Sequence, residues 1–120
     1  MGRVIHFEIA VDDAKRAKKF YEQALDWKIE KVSSQDYWVI YTGNKEKTGI
    51  NGGLMPRRGH RGVGGHNAFV CSIDVDDINK ARQKIEKAGG KLTTDVIAMG
   101  DKKYCYCKDT EGNSFSIFEA

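Results

Sequence analysis

Two residues near the amino terminus carry the clearest chemical information in the sequence. His6 and Glu8 alternate along a strand that the pattern of residues 4–11 predicts, so their side chains share one face. A carboxylate beside an imidazole raises the affinity of the imidazole for a proton, and such a pair can act as an acid and base couple or anchor a ligand. A satisfied polar pair within the packing is the alternative interpretation, and the residues alone leave both open.

Two cysteines share a strand face in the same way. Either Cys105 or Cys107 could act as a nucleophile if a neighbouring base lowered the pKa of its thiol. The local sequence contains no such base, which favours ordinary packed thiols. With Cys71 the count is three, an odd number that indicates reduced side chains and not a disulfide framework. The charged run at residues 79–87 is interpreted as the solvated face of a helix.

Aromatic residues concentrate in the predicted strands, and they are Tyr37, Trp38, Tyr41, Tyr104, Tyr106 and Phe118. Alternation places Trp38 on one face of its strand and Tyr37 and Tyr41 on the other. About half of the set can therefore reach a ligand, while the others serve core packing. Together they favour an apolar or aromatic ligand with a few polar contacts.

An internal repeat indicates the elements that must position these residues. The segment at residues 9–17, IAVDDAKRA, returns at residues 73–81 as IDVDDINKA, with Ile, Val, Asp-Asp and the last Ala preserved at an offset of 64. Each copy joins a predicted strand to a predicted helix, for which Asp12 and Asp76 are the expected caps. The second helix is expected to end at Gly89-Gly90.

Strand patterns complete each half as β-α-β-β-β. The predicted strands are residues 4–11, 27–32, 37–42 and 49–55 in the first half, and residues 68–75, 91–98, 103–108 and 113–119 in the second. The first strand of each half should have a fully apolar face, formed by Ile5, Phe7, Ile9 and Val11 and by Phe69, Cys71, Ile73 and Val75. One helix covers only one face of a four-stranded sheet, so the other face needs a partner or a ligand. We predict one α+β domain, with module 1 at about 1–56, a linker at about 57–65 and module 2 at about 66–120, in which a curled mixed sheet encloses a concave pocket.

Composition limits the classes of partner. The 120 residues include 20 basic and 17 acidic side chains, interspersed along the chain, which argues against nucleic acid. A basic segment, Arg57, Arg58, His60 and Arg61, suits either a solvated loop or an anion site. No apolar run is long enough for a membrane span and no signal peptide is evident, so we expect a cytoplasmic protein.

The motifs resemble the vicinal oxygen chelate superfamily, which has the glyoxalase, bleomycin-resistance and extradiol dioxygenase fold. Its first module has the pattern D-x-x-x-x-x-x-F-Y-x-x-x-L-G-W, and residues 13–27 match it with Asp26 in place of the glycine. The second module is similar in Val75-Asp-Asp-Ile, Ala88-Gly-Gly and Asp109-Thr-Glu-Gly-Asn. The resemblance covers the whole chain, and the Gly52-Gly53-Leu54-Met55 segment is similar to that of small glyoxalase-related members.

This resemblance implies four metal-ligand positions that face into the pocket. His6 matches the first, and the repeat offset assigns Val70, Ser116 and Gly52 to the others. Three of the four positions therefore lack a metal-binding side chain, and a catalytic divalent ion usually needs at least three protein ligands. We expect no cofactor and no metal; if a divalent metal does bind, His6 and Glu8 are its ligands.

The resulting hypothesis is a small-molecule binding protein or a metal-independent enzyme with a mostly degenerate metal site. His6 and Glu8 are its candidate catalytic residues, and its candidate ligand-binding residues are Trp38, Gly52, Val70, Ser116 and Phe118. The alternative is a metal-dependent lyase, isomerase or dioxygenase of the glyoxalase type. A module that serves only structure or protein interaction would instead fill the pocket with its own aromatic residues. We expect a small organic molecule as the ligand and a homodimer as the assembly.

Overall fold

A computed structural model describes residues 2–57 and 69–120 of the chain. These residues form two compact units: the first contains residues 6–57 with residue 69, and the second contains residues 2–5 with 70–120. Most of the predicted linker lies outside the described residues, together with Arg58, His60 and Arg61 of the basic segment.

The first unit contains one helix and four strands. Its elements are β1 (Val4–Val11), of which residues 6–11 belong to this unit, α1 (Ala14–Leu25), β2 (Lys28–Lys31), β3 (Trp38–Tyr41) and β4 (Gly52–Pro56). The strand order is β2-β3-β4-β1, and only the β1 and β4 pair is parallel. Phe7, Ile9 and Val11 of β1 are buried in the core as the apolar pattern predicts, whereas Ile5 at the start of the strand is exposed.

The second unit repeats the order of elements with one interruption. Its elements are β5 (Phe69–Asp74), α2 (Ile78–Lys87), β6 (Lys91–Leu92), β7 (Ile97–Met99), β8 (Lys102–Lys108) and β9 (Ser114–Glu119). The predicted strand at residues 91–98 is two short strands. Thr93 and Thr94 lie between these strands, and the backbone N–H groups of both donate to the Tyr106 carbonyl, which interrupts the regular pairing. β5 and β9 pair in parallel, as β1 and β4 do in the first unit.

The predicted apolar face of β5 is only partly correct. Ile73 at the end of the strand packs against the core of the second unit, but Phe69 and Cys71 are exposed. The buried residues at this end of the strand are instead Val70 and Ser72 on the opposite face. The position of α2 explains the difference. The helix begins beyond the carboxyl end of β5, and Ile78 in its first turn belongs to the core against which Ile73 packs.

Both helix caps are one residue later than the sequence pattern predicts. Asp13 accepts a hydrogen bond from the Arg16 N–H at 3.0 Å, and Asp77 accepts one from the Lys80 N–H at 3.1 Å. A capping side chain bonds the N–H three residues ahead, so the assignment of Asp12 as a cap was wrong by one position. The same correction applies to the assignment of Asp76.

The helix ends follow the expected chemistry. The Gly90 N–H donates to the Ile85 carbonyl at 2.9 Å, and Gly89 has a positive φ of 101°, which confirms the predicted stop at the two glycines. Helix α1 ends at Leu25, and the next residue, Asp26, adopts φ 59° at the position where the superfamily pattern has glycine. Aspartate is one of the few other residues that visits this region.

The α+β class and the repeated β-α-β-β-β order are confirmed, with the second strand of the second module divided in two. Among the described residues, neither helix has the length and apolar character that crossing a bilayer requires.

The corrected capping assignment generates a test with a matched control. Asp77→Ala removes the acceptor for the Lys80 N–H and should lower the free energy of unfolding by about 1 kcal/mol. Asp76→Ala removes the same charge one residue earlier and should change stability by less than about 0.5 kcal/mol. Urea denaturation of the two variants measures the difference, and equal losses would contradict the assignment of Asp77 as the cap.

Candidate functional site

The first unit brings a tyrosine to the predicted histidine and glutamate pair. His6 Nε2 lies 3.0 Å from the Tyr37 hydroxyl oxygen and 3.9 Å from Glu8 Oε2. The His6 side chain is 35% exposed and the Glu8 side chain is 12% exposed, so solvent reaches the imidazole more than the carboxylate. The expected pairing of His6 with Glu8 on one strand face is present, and Tyr37 is an addition to it.

A glycine makes the approach of the tyrosine possible. Register pairing places Gly53 of β4 beside Glu8 of β1, on the face that carries His6. A Cβ atom added at Gly53 would overlap the Tyr37 hydroxyl and ring. The absence of a side chain at Gly53 is therefore what allows the tyrosine to lie over the strand and reach His6.

The structure places two of the predicted ligand-binding residues, Gly52 and Trp38, on the core face of the first unit. Gly52 pairs with Phe7 and lies on the core face, where a Cβ atom would stand 2.8 Å from the phenylalanine ring. The residue on the His6 face is Gly53, so the assignment by repeat offset was wrong by one residue, and a shift of one reverses the face. Trp38 also lies on the core face, packed against the cluster that contains Leu54, and the structure does not bring it to His6.

Burial makes protonation of the His6 imidazole less favourable. Desolvation lowers the pKa of His6 below its ordinary value of 6.5, while the Glu8 carboxylate and a hydrogen bond to the Asn51 backbone act in the opposite direction. A neutral imidazole has one ring nitrogen that accepts a hydrogen bond. In the tautomer that carries its proton on Nδ1, Nε2 accepts the hydrogen bond of the Tyr37 hydroxyl and can take up a proton.

The other predicted ligand-binding residues lie together in the second unit. Val70, Ser116 and Phe118 share one face of the sheet, as the pairing of Ser72 with Ser116 shows. The Ser116 hydroxyl donates to the Ser72 hydroxyl at 2.6 Å. Val70 is 2% exposed, Ser116 is 3% exposed and Phe118 is half-buried, so this face is largely closed to solvent.

The donor atoms do not fit a catalytic divalent ion. With the corrected register, the four positions that the resemblance assigns to ligands are His6, Gly53, Val70 and Ser116, of which only the histidine is a usual ligand. Glu8 adds a second donor on the same face as His6. Within residues 2–57 and 69–120, no three His, Cys, Asp or Glu side chains lie close enough together to hold a metal ion.

A cavity of about 490 Å³ lies elsewhere in the first unit, where β1 meets the start of α1. Its apolar wall includes Phe20 and Phe69, and its polar rim includes two arginine and aspartate pairs. Arg57 Nε donates to Asp12 Oδ1 at 3.1 Å, and Arg16 lies 4.0 Å from Asp13. Both cations thus have a carboxylate partner, and no pattern in the sequence indicated this cavity.

The cysteine pair is packed in the core of the second unit, as the sequence analysis favoured. Cys105 and Cys107 are fully buried, yet Arg82 of the charged run reaches Cys105, so the assignment of the whole run to solvent was wrong at this position. A hydrogen bond from Cys107 lowers the pKa of the Cys105 thiol, and the arginine acts in the same direction. No sequence signal near the cysteines indicated Arg82, because it approaches from the helix.

The lowered pKa of His6 can be tested by titration. NMR of the His6 ring, assigned with His6→Gln, should give a pKa below 6.5 because burial disfavours the imidazolium ion. Glu8→Gln should lower it further, since the carboxylate is 3.9 Å from Nε2. Glu30→Gln removes an exposed carboxylate that pairs with Lys28, and it should leave the His6 titration unchanged.

The same titration has a consequence for stability. The unfolded chain takes up the His6 proton first as pH falls, so wild-type protein should lose stability relative to His6→Gln from pH 6.5 down through the lowered pKa. A wild-type pKa above 6.5 would show that Glu8, and not burial, dominates the environment of the ring.

Comparison with known proteins agrees with the fold. The model of the Glyoxalase/Bleomycin resistance protein/Dioxygenase superfamily matches residues 3–117. A glyoxylase-like domain-containing protein from Didymella fabae is 28% identical over 123 residues, which cover 97% of this chain and 92% of the relative.

Two solved structures illustrate the likeness of the fold. A glyoxalase/bleomycin resistance protein/dioxygenase superfamily member from Vibrio splendidus 12B01 has a TM-score of 0.67 at 15% identity, with 100% of both chains covered. Methylmalonyl-CoA epimerase from Mycobacterium tuberculosis has a TM-score of 0.65 at 16% identity, with 97% of this chain and 86% of that chain covered. The family match over residues 3–117, with the module order and the register described above, identifies the chain as a member of the Glyoxalase/Bleomycin resistance protein/Dioxygenase superfamily.

Proposed function

We propose that this chain holds a small organic molecule at His6 and acts as a binding protein or a metal-independent enzyme. The observation that carries the proposal is the contact of His6 Nε2 with the Tyr37 hydroxyl at 3.0 Å, beside the Glu8 carboxylate at 3.9 Å. The three side chains offer a proton acceptor, a hydroxyl and a negative charge within a few ångströms. Such convergent polar groups on a largely apolar scaffold are typical of small-molecule sites.

Proton transfer is the chemistry that suits this arrangement. A ligand hydroxyl or an acidic C–H group that displaces the Tyr37 hydroxyl from Nε2 can transfer its proton to that nitrogen. The Glu8 carboxylate stabilises the imidazolium ion that forms, because it favours the protonated ring. Tyr37 can then donate a hydrogen bond to the oxygen that gains negative charge on the ligand.

The proposed ligand is mostly apolar and carries one hydroxyl or one acidic C–H group. Val70, Ser116 and Phe118 of the second unit stay predicted ligand-binding residues, and the Ser116 hydroxyl already bonds to Ser72. Acyl thioesters belong in a ligand screen, because several solved structures with this fold are methylmalonyl-CoA epimerases. We further propose a homodimer and a cytoplasmic location.

The alternative function is metal-dependent chemistry of the glyoxalase type. One observation favours it: His6 Nε2 and Glu8 Oε2 are 3.9 Å apart on one face, a separation at which both can reach a single ion. Two protein donors are fewer than the three that catalytic sites usually supply, so this alternative needs a donor from the ligand or from another chain.

Metal content separates the two functions. We expect wild-type protein purified without chelator to contain no stoichiometric Zn, Ni, Mn or Fe, and none of these ions to raise its melting temperature. Elemental analysis and thermal unfolding under reducing conditions, with His6→Ala and Glu30→Gln as comparison variants, make the measurement. A stoichiometric ion that is retained by Glu30→Gln and lost by His6→Ala would overturn the metal-independent proposal.

Ligand binding tests the role of the hydroxyl. For any compound that stabilises the wild-type protein in a thermal screen including methylmalonyl-CoA, Tyr37→Phe should weaken binding about fivefold, because one net hydrogen bond contributes about 1 kcal/mol. His6→Gln should abolish proton transfer while keeping the fold. Tyr41→Phe is the matched control, since this exposed tyrosine at the end of β3 is not bonded to His6. Equal effects of the two tyrosine variants would count against the site.

A further inference from the structure

The second unit contains a pair of thiols on the face of β8 that packs against α2. Cys105 pairs with Ile117 and Cys107 with Phe115 on the neighbouring strand, and both cysteine side chains have no exposure to solvent. Both residues belong to one buried cluster with Ile78 of α2 and Ile117 of β9. The two sulfur atoms therefore lie on the same face of β8, within the core.

An arginine lies beside the thiols and is held by the backbone. The Arg82 guanidinium donates to the Thr94 carbonyl at 2.9 Å and also forms a hydrogen bond with Cys105. Thr94 is itself attached to β8, because its hydroxyl accepts a hydrogen bond from the Tyr106 N–H at 3.0 Å. The interruption between β6 and β7 thus positions a positive charge over the cysteine pair.

We propose that Cys105 and Cys107 form a two-sulfur site for a soft monovalent cation of the Cu(I) class, with Arg82 as the neighbouring counter-charge. Thiolates are the ligands that such ions prefer. Binding replaces two thiol protons with one cation and changes no oxidation state. The resulting bis-thiolate complex carries one negative charge, which Arg82 neutralises, so the buried group bears no net charge.

The number of ligands explains the choice of a monovalent ion. Zinc and other divalent ions in structural sites take four protein ligands, and no third Cys, His, Asp or Glu joins the pair within the described residues. A divalent ion would also leave a net positive charge in the core beside Arg82. Two sulfur donors and one arginine suit an ion with a single charge.

Arg82 also provides the route by which an ion can arrive. It is half-buried, whereas Cys105 and Cys107 beneath it are fully buried. Rotation of a long arginine side chain is a fast and local movement compared with unfolding of the strand. We therefore place the entry of the ion at Arg82.

Competition with a chromophoric Cu(I) chelator under anaerobic, reducing conditions tests the proposal. Folded wild-type protein should bind one Cu(I) ion per chain, and Cys105→Ser or Cys107→Ser should remove this binding. Arg82→Gln keeps both thiols and should lower the affinity by about 10-fold to 100-fold, as loss of a group that contacts a metal ligand does. The Arg82→Gln variant therefore still tests the proposal if a buried cysteine variant fails to fold.

Three matched variants should bind Cu(I) as the wild type does. Cys71→Ser removes the exposed thiol, Lys84→Gln removes an exposed charge from the same helix as Arg82, and His6→Gln alters the site of the proposed function. Failure of folded wild-type protein to compete for Cu(I), binding only after denaturation in urea, or loss of binding in Cys71→Ser would each overturn the proposal. None of these results bears on ligand binding at His6, so the two proposals fail independently.

Discussion

The parallel pairing of β1 with β4 is the constraint on which the rest of the first unit depends. This pairing aligns Phe7 with Gly52 and Glu8 with Gly53, so one glycine faces each side of the sheet. The Phe7 ring occupies the space over Gly52 on the core side. On the other side, the Tyr37 ring occupies the space over Gly53 and its hydroxyl meets His6. Packing of the core and assembly of the polar site therefore rest on the same two backbone positions.

The second unit uses the same parallel pairing with different chemistry. Ser72 stands 64 residues after Glu8, and it lies beside Ser116 on β9. The two hydroxyls form a buried hydrogen bond of 2.6 Å, where the first unit has a partly exposed imidazole and a carboxylate. A neutral bonded pair costs far less to bury than a charge. The two buried thiols of the second unit are on the opposite, helix side of the sheet, where Arg82 reaches Cys105.

Sequence patterns predicted the fold and half of the polar site. The repeat, the helix stop at the two glycines and the shared face of His6 and Glu8 all follow from local periodicity, and the structure bears them out. The same patterns did not distinguish Tyr37 from Trp38, although alternation had put them on opposite faces. Which of these two residues lies on the face of His6 depended on how β3 pairs with β4, and that pairing joins residues that are distant in the sequence.

The sequence by itself determined which residues share a face within each strand, because a period of two is a property of one strand. Only the tertiary structure decided which residue of the next strand stands beside them. A constant repeat offset assigned Gly52 to the face of His6, but β4 and β9 align with an offset of one residue less, which exchanges Gly52 for Gly53. Arg82 also depended on tertiary structure, because helix packing brings its side chain to a strand more than twenty residues away.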